Sequence, residues 1–156
     1  MNEAKIIELR PVREADIKKI FEWRNDQSVR ANSFQTSEIK WEEHTDYWEK
    51  RLRNRKNYSY IVVFEGKDSG LVRLDNQDGD AGTYEANILI SPEFQGKGVG
   101  IASIAEIKKI SARLGIKKLI ARVKPGNIPS QKIFEKNGFV KKGGDKECVS
   151  YACITQ

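Results

Sequence analysis

Gln95-Gly96-Lys97-Gly98-Val99-Gly100 is the stretch that decides how this chain is read. It follows an apolar, strand-like run, Ile88-Leu89-Ile90, and a stop at Pro92, and it opens onto a helical pattern from Ile101 to Leu114. Glycines on alternate positions let the backbone turn tightly and bring successive N–H groups close to a ligand. The start of a helix adds unpaired N–H groups and the positive end of its dipole. Strand, glycine loop and helix together make a backbone trap for an anion, with a phosphate or pyrophosphate as the natural guest. A glycine-rich surface turn before an ordinary helix is the plain alternative.

The spacing excludes two common phosphate loops. A dinucleotide fingerprint needs G-x-G-x-x-G, but counting from Gly96 the last position is Ile101, and from Gly98 it is Ser103. A Walker A loop needs Gly-Lys followed by Ser or Thr, whereas Lys67 precedes Asp68 and Lys97 precedes Gly98. What remains is Q-x-x-G-x-G, carried by Gln95, Gly98 and Gly100.

The 156 residues are a single-domain length, read as one domain over 1–156 and large enough for one core. Hydrophobic residues make up 38% and charged residues 32%, a balance that suits a water-soluble chain. No apolar run approaches the ~20 residues of a membrane span. Met1-Asn2-Glu3-Ala4-Lys5 lacks the apolar core of a signal peptide. Cys148 and Cys153 are too few and too local for a disulfide framework, which predicts reduced thiols in a cytoplasmic protein. No metal site is expected, because His44 is the only histidine available to join them. The net charge of +6 comes from scattered pairs such as Lys108-Lys109 and Lys117-Lys118. With no long basic block or aromatic RNP-like strand, it suits a small polyanion better than a nucleic acid.

The pattern predicts a strand over 6–10, a helix over 14–24, a polar turn over 25–28 and a second helix over 39–53. Trp41, Trp48 and Leu52 mark the apolar side of that second helix. Strands follow over 58–65 and 71–74, with a hairpin turn at Glu65-Gly66-Lys67-Asp68, then a turn over 76–82 and a strand over 83–90. After the helix over 101–114 come a strand over 119–123, a helix from Pro129 to Asn137, and strands over 139–141 and 148–154 around Gly143-Gly144. The strand–helix–strand unit around the glycine loop should be parallel, with helices on both faces of one mixed sheet.

The loop and this order of elements resemble the GNAT N-acetyltransferases, which bind acetyl-coenzyme A. A second motif strengthens the resemblance, with Asn127, Ser130 and Ile133-Phe134-Glu135-Lys136-Asn137-Gly138-Phe139 in the right order. The resemblance covers nearly the whole chain. It implies a mixed α/β fold, mainly antiparallel, with a central parallel strand pair, and acetyl transfer to a primary amine by direct attack on the thioester. It places acetyl-CoA against the backbone of Ile88, Leu89 and Ile90, the loop Gln95, Gly96, Lys97, Gly98, Val99 and Gly100, and Asn127, Ser130 and Phe134. Many members carry a tyrosine acid at the position of Phe134, which has no proton to give. Tyr58, Tyr60 and Tyr84 are the other phenols to consider. Alternation along the strand places Glu85, Asn87 and Leu89 on one face, which makes Glu85 the candidate base with Asn87 beside it.

Substrate choice in this family lies in the N-terminal third. Glu22-Trp23-Arg24-Asn25-Asp26, Asn32-Ser33-Phe34 and the helix bearing Trp41 and His44 resemble two branches. One acetylates the 4-amino group of a UDP-linked amino-deoxysugar, as in pseudaminic acid synthesis. The other acetylates ribosomal-protein N-termini. The combined motifs favour the sugar branch. Arg24, Asn25, Arg30, Phe34 and His44 are the candidate substrate contacts, the arginines for phosphates, Phe34 or Trp23 for a ring and His44 for a hydroxyl; a structural role is the plain alternative for His44, and complementing the helix dipole for Arg24. A non-catalytic acyl-CoA sensor and a basic nucleic-acid-binding domain are the remaining alternatives, and pairing of chain edges into a homodimer is a further expectation.

Overall fold

The computed structural model describes residues 6–77 and 80–155; the N-terminal residues read above for a signal segment, and positions 78 and 79 of the expected 76–82 turn, lie outside them. Seven strands form one sheet. They are β1 (Ile7–Pro11), β2 (Tyr58–Phe64), β3 (Lys67–Gln77), β4 (Asp80–Ile90), β5 (Lys118–Val123), β6 (Val140–Gly144) and β7 (Val149–Ile154). The helices are α1 (Ile17–Asn25), α2 (Gln27–Ala31), α3 (Trp41–Arg53), α4 (Val99–Arg113) and α5 (Ile128–Lys136). Strand order across the sheet is β1-β2-β3-β4-β5-β7-β6. Among the described residues only β4 and β5 run parallel, joined through α4 as expected of a strand–helix–strand unit.

The central strands β3 and β4 are longer than the sequence suggests. β3 and β4 continue into the expected turn, with Asn76 still opposite Tyr84. At the β2–β3 hairpin Glu65 and Gly66 take φ of 52° and 76°, a two-residue turn with both residues left-handed that matches strand twist. Gly143 and Gly144 lie within β6, and the reversal falls at Asp145, whose side chain accepts from the N–H groups of Glu147 and Cys148.

Period-two alternation divides the sheet into two faces. Val62, Val72, Leu74, Tyr84, Ala86, Leu119, Ala121 and Tyr151 pack with Ile104 and Ile107 of α4 and Phe134 of α5. The opposite face buries Ile61 and Leu71, with Leu89 packed partly against them, under Ile17 and Ile20 of α1 and Trp48 of α3. The buried side of α3 is His44, Trp48 and Arg51. Trp41 and Leu52, read as core, are 46% and 39% exposed. The difference has a physical cause, because Arg51 finds enough partners inside to be buried in place of an apolar residue. The expected polar turn 25–28 contains a short helix, since Asp26 accepts from the N–H groups of Ser28 and Val29 and caps α2.

Candidate functional site

The parallel pair is short. Thr83, Glu85 and the residue between them pair with Lys118 to Ile120, and beyond Glu85 the two strands part. Ala86 to Ile90 keep their ladder to β3, so their other backbone edge faces a gap instead of a strand. That gap is the floor of a cavity of about 720 Å³, walled by the glycine loop and the starts of α4 and α5 on one side and by the end of α1, α2 and the following loop on the other.

The loop is shaped by two left-handed glycines, Gly96 at φ 76° and Gly98 at φ 78°, the second being the N-cap of α4. The first helical bond runs from the Ala102 N–H to the Gly98 carbonyl. The N–H groups of Val99, Gly100 and Ile101 therefore lack intrahelical partners and point out of the helix start toward the cleft. Gln95 ties the loop to the strand end, its Nε2 donating to the Ile90 carbonyl at 3.1 Å. At Gly100 a Cβ would come within 2.5 Å of Ile133 Cδ1, so this glycine sets how closely α4 approaches α5. Asn127 Oδ1 accepts from the Ser130 N–H and caps α5, whose start faces the same cavity. A run of free N–H groups at a helix N-terminus, open to the cleft, fits the pyrophosphate of coenzyme A.

Of the expected coenzyme residues, Ile88, Leu89, Ile90, Gln95, Gly96, Gly98, Val99, Gly100, Asn127, Ser130 and Phe134 line the cavity. The exception is the Lys97 side chain, whose Nζ lies 5.6 Å from the centre of the Phe94 ring. Phe134 is buried, edge-on to Phe139 and stacked 6.3 Å from Tyr151, so packing accounts for it. Burial and the carboxylate of Glu135 push the Tyr151 phenol up to about 12. Tyr58, Tyr60 and Tyr84 do not reach the cavity, and Tyr47 is the tyrosine that does among the described residues.

The acceptor end is polar and positive. Glu85 and Asn87 share a face as the alternation predicts, but Glu85 is not open to the cleft. Both its oxygens accept from Arg122, at 3.0 Å from Nε and 2.7 Å from Nη2, and its side chain is 8% exposed against 57% for Arg122. This fork raises the Arg122 guanidinium above its ordinary value. Asn87 Nδ2 donates to Asp75 at 3.1 Å, which leaves its Oδ1 as the free end of the amide. Asp75 is also held by Arg51 at 2.5 Å. Arg51 further donates to Ser59 Oγ and to the carbonyls of Tyr58 and Leu74.

Three of the expected substrate contacts do structural work instead. His44 is 1% exposed with Nε2 2.7 Å from the Ile17 carbonyl, and burial lowers its pKa. Asn25 clasps the backbone N–H and carbonyl of Ile39 with its side chain. Arg30 donates to the carbonyls of Asn25 and Thr36. Both fix the loop before α3, and neither faces the cavity. Arg24 and Phe34 do line it, Phe34 at 59% exposure. Arg73, Arg122, Tyr47 and Lys124 line it too and were not singled out from the sequence. Strand parity would place Arg73 with Asp75, and Arg122 with Ile120, on the Glu85 face. The register that brings them to one place was not legible.

Splayed parallel strands over an anion cradle, with a polar acceptor end, define an acyl-coenzyme A transferase. A family model described as an acetyltransferase (GNAT) domain matches residues 7–140, and the chain belongs to that family. It is an acetyl-CoA-dependent N-acetyltransferase domain of this class. An uncharacterized protein of Methanocaldococcus jannaschii is 31% identical over 155 residues, covering 94% of this chain; the chain spans about a third of that relative's length, 31%. Spermidine N(1)-acetyltransferase of Escherichia coli K12 is 28% identical, covering 92% of this chain and 77% of its own. The fold matches that of a spermidine N-acetyltransferase from Vibrio cholerae in complex with CoA and spermine, with a TM-score of 0.85 at 22% identity over 96% of this chain and 95% of that one. It also matches Campylobacter jejuni N-acetyltransferase PseH in complex with acetyl coenzyme A, with a TM-score of 0.73 at 21% identity over 97% and 100%.

Proposed function

We propose that this protein acetylates the 4-amino group of a UDP-linked amino-deoxysugar. The observation that carries the reading is the charge of the acceptor end. Arg24, Arg73, Arg122 and Lys124 line it, and no Asp or Glu does among the described residues. A polyamine such as the substrate of the spermidine relatives would meet cations there. A nucleotide diphosphate would meet guanidinium forks matched to its oxygens. Phe34, exposed on the rim, offers a face for a base or sugar ring.

The amine nitrogen attacks the thioester carbonyl carbon, the C–S bond breaks, and coenzyme A leaves as the thiolate. The Asn87 Oδ1 is turned toward the cleft by Asp75 and accepts one N–H of the attacking amine. Glu85 holds Arg122 instead of acting as the base, and the amine proton passes to water. The free backbone edge of Ala86 to Ile90 supplies donors for the developing oxyanion.

Thiol release from acetyl-CoA against a panel of amines tests this. UDP-4-amino-sugars should be turned over well above spermidine and above peptides beginning with Ala or Ser. Preference for spermidine overturns the reading, and preference for peptides moves the function to protein modification.

A further inference from the structure

Arg24 is the unusual charge in this molecule. It lies at the end of α1, partly buried in the cavity wall, and no carboxylate, carbonyl or hydroxyl pairs with it among the described residues. Its strongest charged neighbour is another cation, Arg73. Burial first, and then the charge of Arg73, lower its pKa. An unpaired guanidinium out of water is costly, and a second one beside it adds to the cost. Such a pair is stable in the free protein only because it stays partly wetted, and it gains most when an anion arrives.

Arg73 is preset for the same task. Its Nη1 donates to the Tyr47 hydroxyl at 2.5 Å, and its guanidinium lies 6.0 Å from the centre of the Tyr47 ring. Asp75 Oδ2 lies 3.7 Å from the same Nη1, an ion pair too long for a hydrogen bond. Asp75 spends its closest contact on Arg51, at 2.5 Å, and accepts from Asn87 with its other oxygen. Asp75 thus serves Arg51 and, at longer range, Arg73, Arg24 has no carboxylate among the described residues, and Glu85 and Arg122 balance each other. The surplus positive charge sits on Arg24 and Arg73, on the cleft side.

We infer that Arg24 and Arg73 form a seat for a phosphate group of the acceptor, with Tyr47 and the Arg51–Asp75 pair as the residues that position Arg73. The inference rests on the anionic-acceptor reading above and goes further by assigning the contact. Each guanidinium presents a planar fork to phosphate oxygens, and Lys at either position would keep the charge and lose the fork. The seat lies on the same sheet face as Asn87, since Arg73 and Asn87 are opposite one another across β3 and β4. Holding a phosphate there fixes how far the reacting amine stands from the seat.

Calorimetric titration of the full chain, saturated with coenzyme A so that its own phosphate cradle is filled, tests the seat. The probes are UDP, glucosamine 6-phosphate and spermidine, on the wild type and on Arg24→Gln, Arg73→Gln and Arg24→Lys. UDP should bind the wild type and bind at least about tenfold more weakly to each Gln variant. Arg24→Lys should lie between, and the affinity for coenzyme A should hold in all of them, which also reports that they fold. If glucosamine 6-phosphate binds with this same sensitivity and UDP does not, the seat stands and the nucleotide reading falls. If UDP binds all variants equally, the seat is overturned and the anionic acceptor survives. If spermidine binds and neither phosphate does, both fall.

Discussion

The donor end of the cleft is built from backbone, whereas the acceptor end is built from side chains. At the donor end, Gly96 and Gly98 turn the chain, the α4 start leaves N–H groups free, and Asn127 caps the facing helix. Few side chains there need a charge. At the acceptor end, Arg24, Arg73, Tyr47, Asn87 and Arg122 come from α1, β3, α3, β4 and β5, and they are held by Asp75, Arg51 and Glu85. A backbone site is coded locally, in a few consecutive residues. A side-chain site is coded by the register of distant elements, so it can change its ligand while the donor end stays fixed.

The largest effect that separates the two ends should come from Arg51→Leu. The substitution strips Asp75 of its closest partner and leaves the Tyr58 and Leu74 carbonyls short of a donor. Removing one member of a buried pair costs about 3 kcal/mol, a drop of roughly 6–12 °C in melting temperature for a chain of this size. The Michaelis constant for the acceptor should rise, because Arg73 and Asn87 lose their anchor, while the affinity for coenzyme A in the surviving fold should stay within about twofold. An equal loss of coenzyme A affinity would show that the two ends are not independent.

Gly98→Val is the complementary break. An L-residue forced into the left-handed region costs roughly 1–2 kcal/mol, and relief of that strain shifts the N-cap of α4 from which the N–H cradle is built. Coenzyme A affinity should fall at least about tenfold, with UDP affinity little changed, as isothermal titration with each ligand would report.

These two substitutions also mark what could be read from the chain. The glycine loop and the parallel unit were legible because each rests on a local rule of backbone geometry, whereas Asn127 was marked only by the family resemblance and its capping of α5 came from the structure. The two-faced alternation of β4 was legible, and it correctly grouped Glu85 with Asn87. What the sequence did not reveal was Arg122 across the splay, which takes both oxygens of Glu85. Nor did it show which backbone partners His44, Asn25 and Arg30 would take. Polar residues near a substrate motif look like ligands until the carbonyls that need them are known. The burial of Arg51 on α3, beside the expected Trp48, has the same origin, since its partners lie 7 to 24 residues away.

A smaller effect sharpens the acceptor end. Glu85→Gln keeps a carbonyl for Arg122 but removes the charge that fixes its fork. The acceptor Michaelis constant should rise about threefold to tenfold, in line with the loss of order 1 kcal/mol from a partly exposed pair. The pH dependence of kcat/KM should keep its shape, rising with the fraction of free amine. Loss of an acidic limb from the profile in Glu85→Gln would return Glu85 to the role of base.

The smallest expected effect concerns His44, which belongs to neither end but joins α1 to α3. With Nε2–H donating to the Ile17 carbonyl, Nδ1 is unprotonated, buried and without a partner. A second proton there would create a buried donor with nothing to receive it, next to the positive charge of Arg24. The folded state therefore binds this proton less readily than the unfolded chain, whose imidazole titrates near 6.5. Between the lowered folded value and 6.5 the unfolded state carries more protons, so stability rises with pH across that window. It is complete above about pH 6.5 and is lost as pH falls through that value toward the folded one. Melting temperatures measured from pH 7.5 to pH 5 should fall in the wild type and fall less in His44→Gln, which keeps a donor for Ile17 and cannot charge. Filling the phosphate seat at Arg24 places a negative charge on the same side of the imidazole. The wild-type slope should therefore flatten when UDP is bound, which couples this titration to the acceptor end and leaves the donor end out of it.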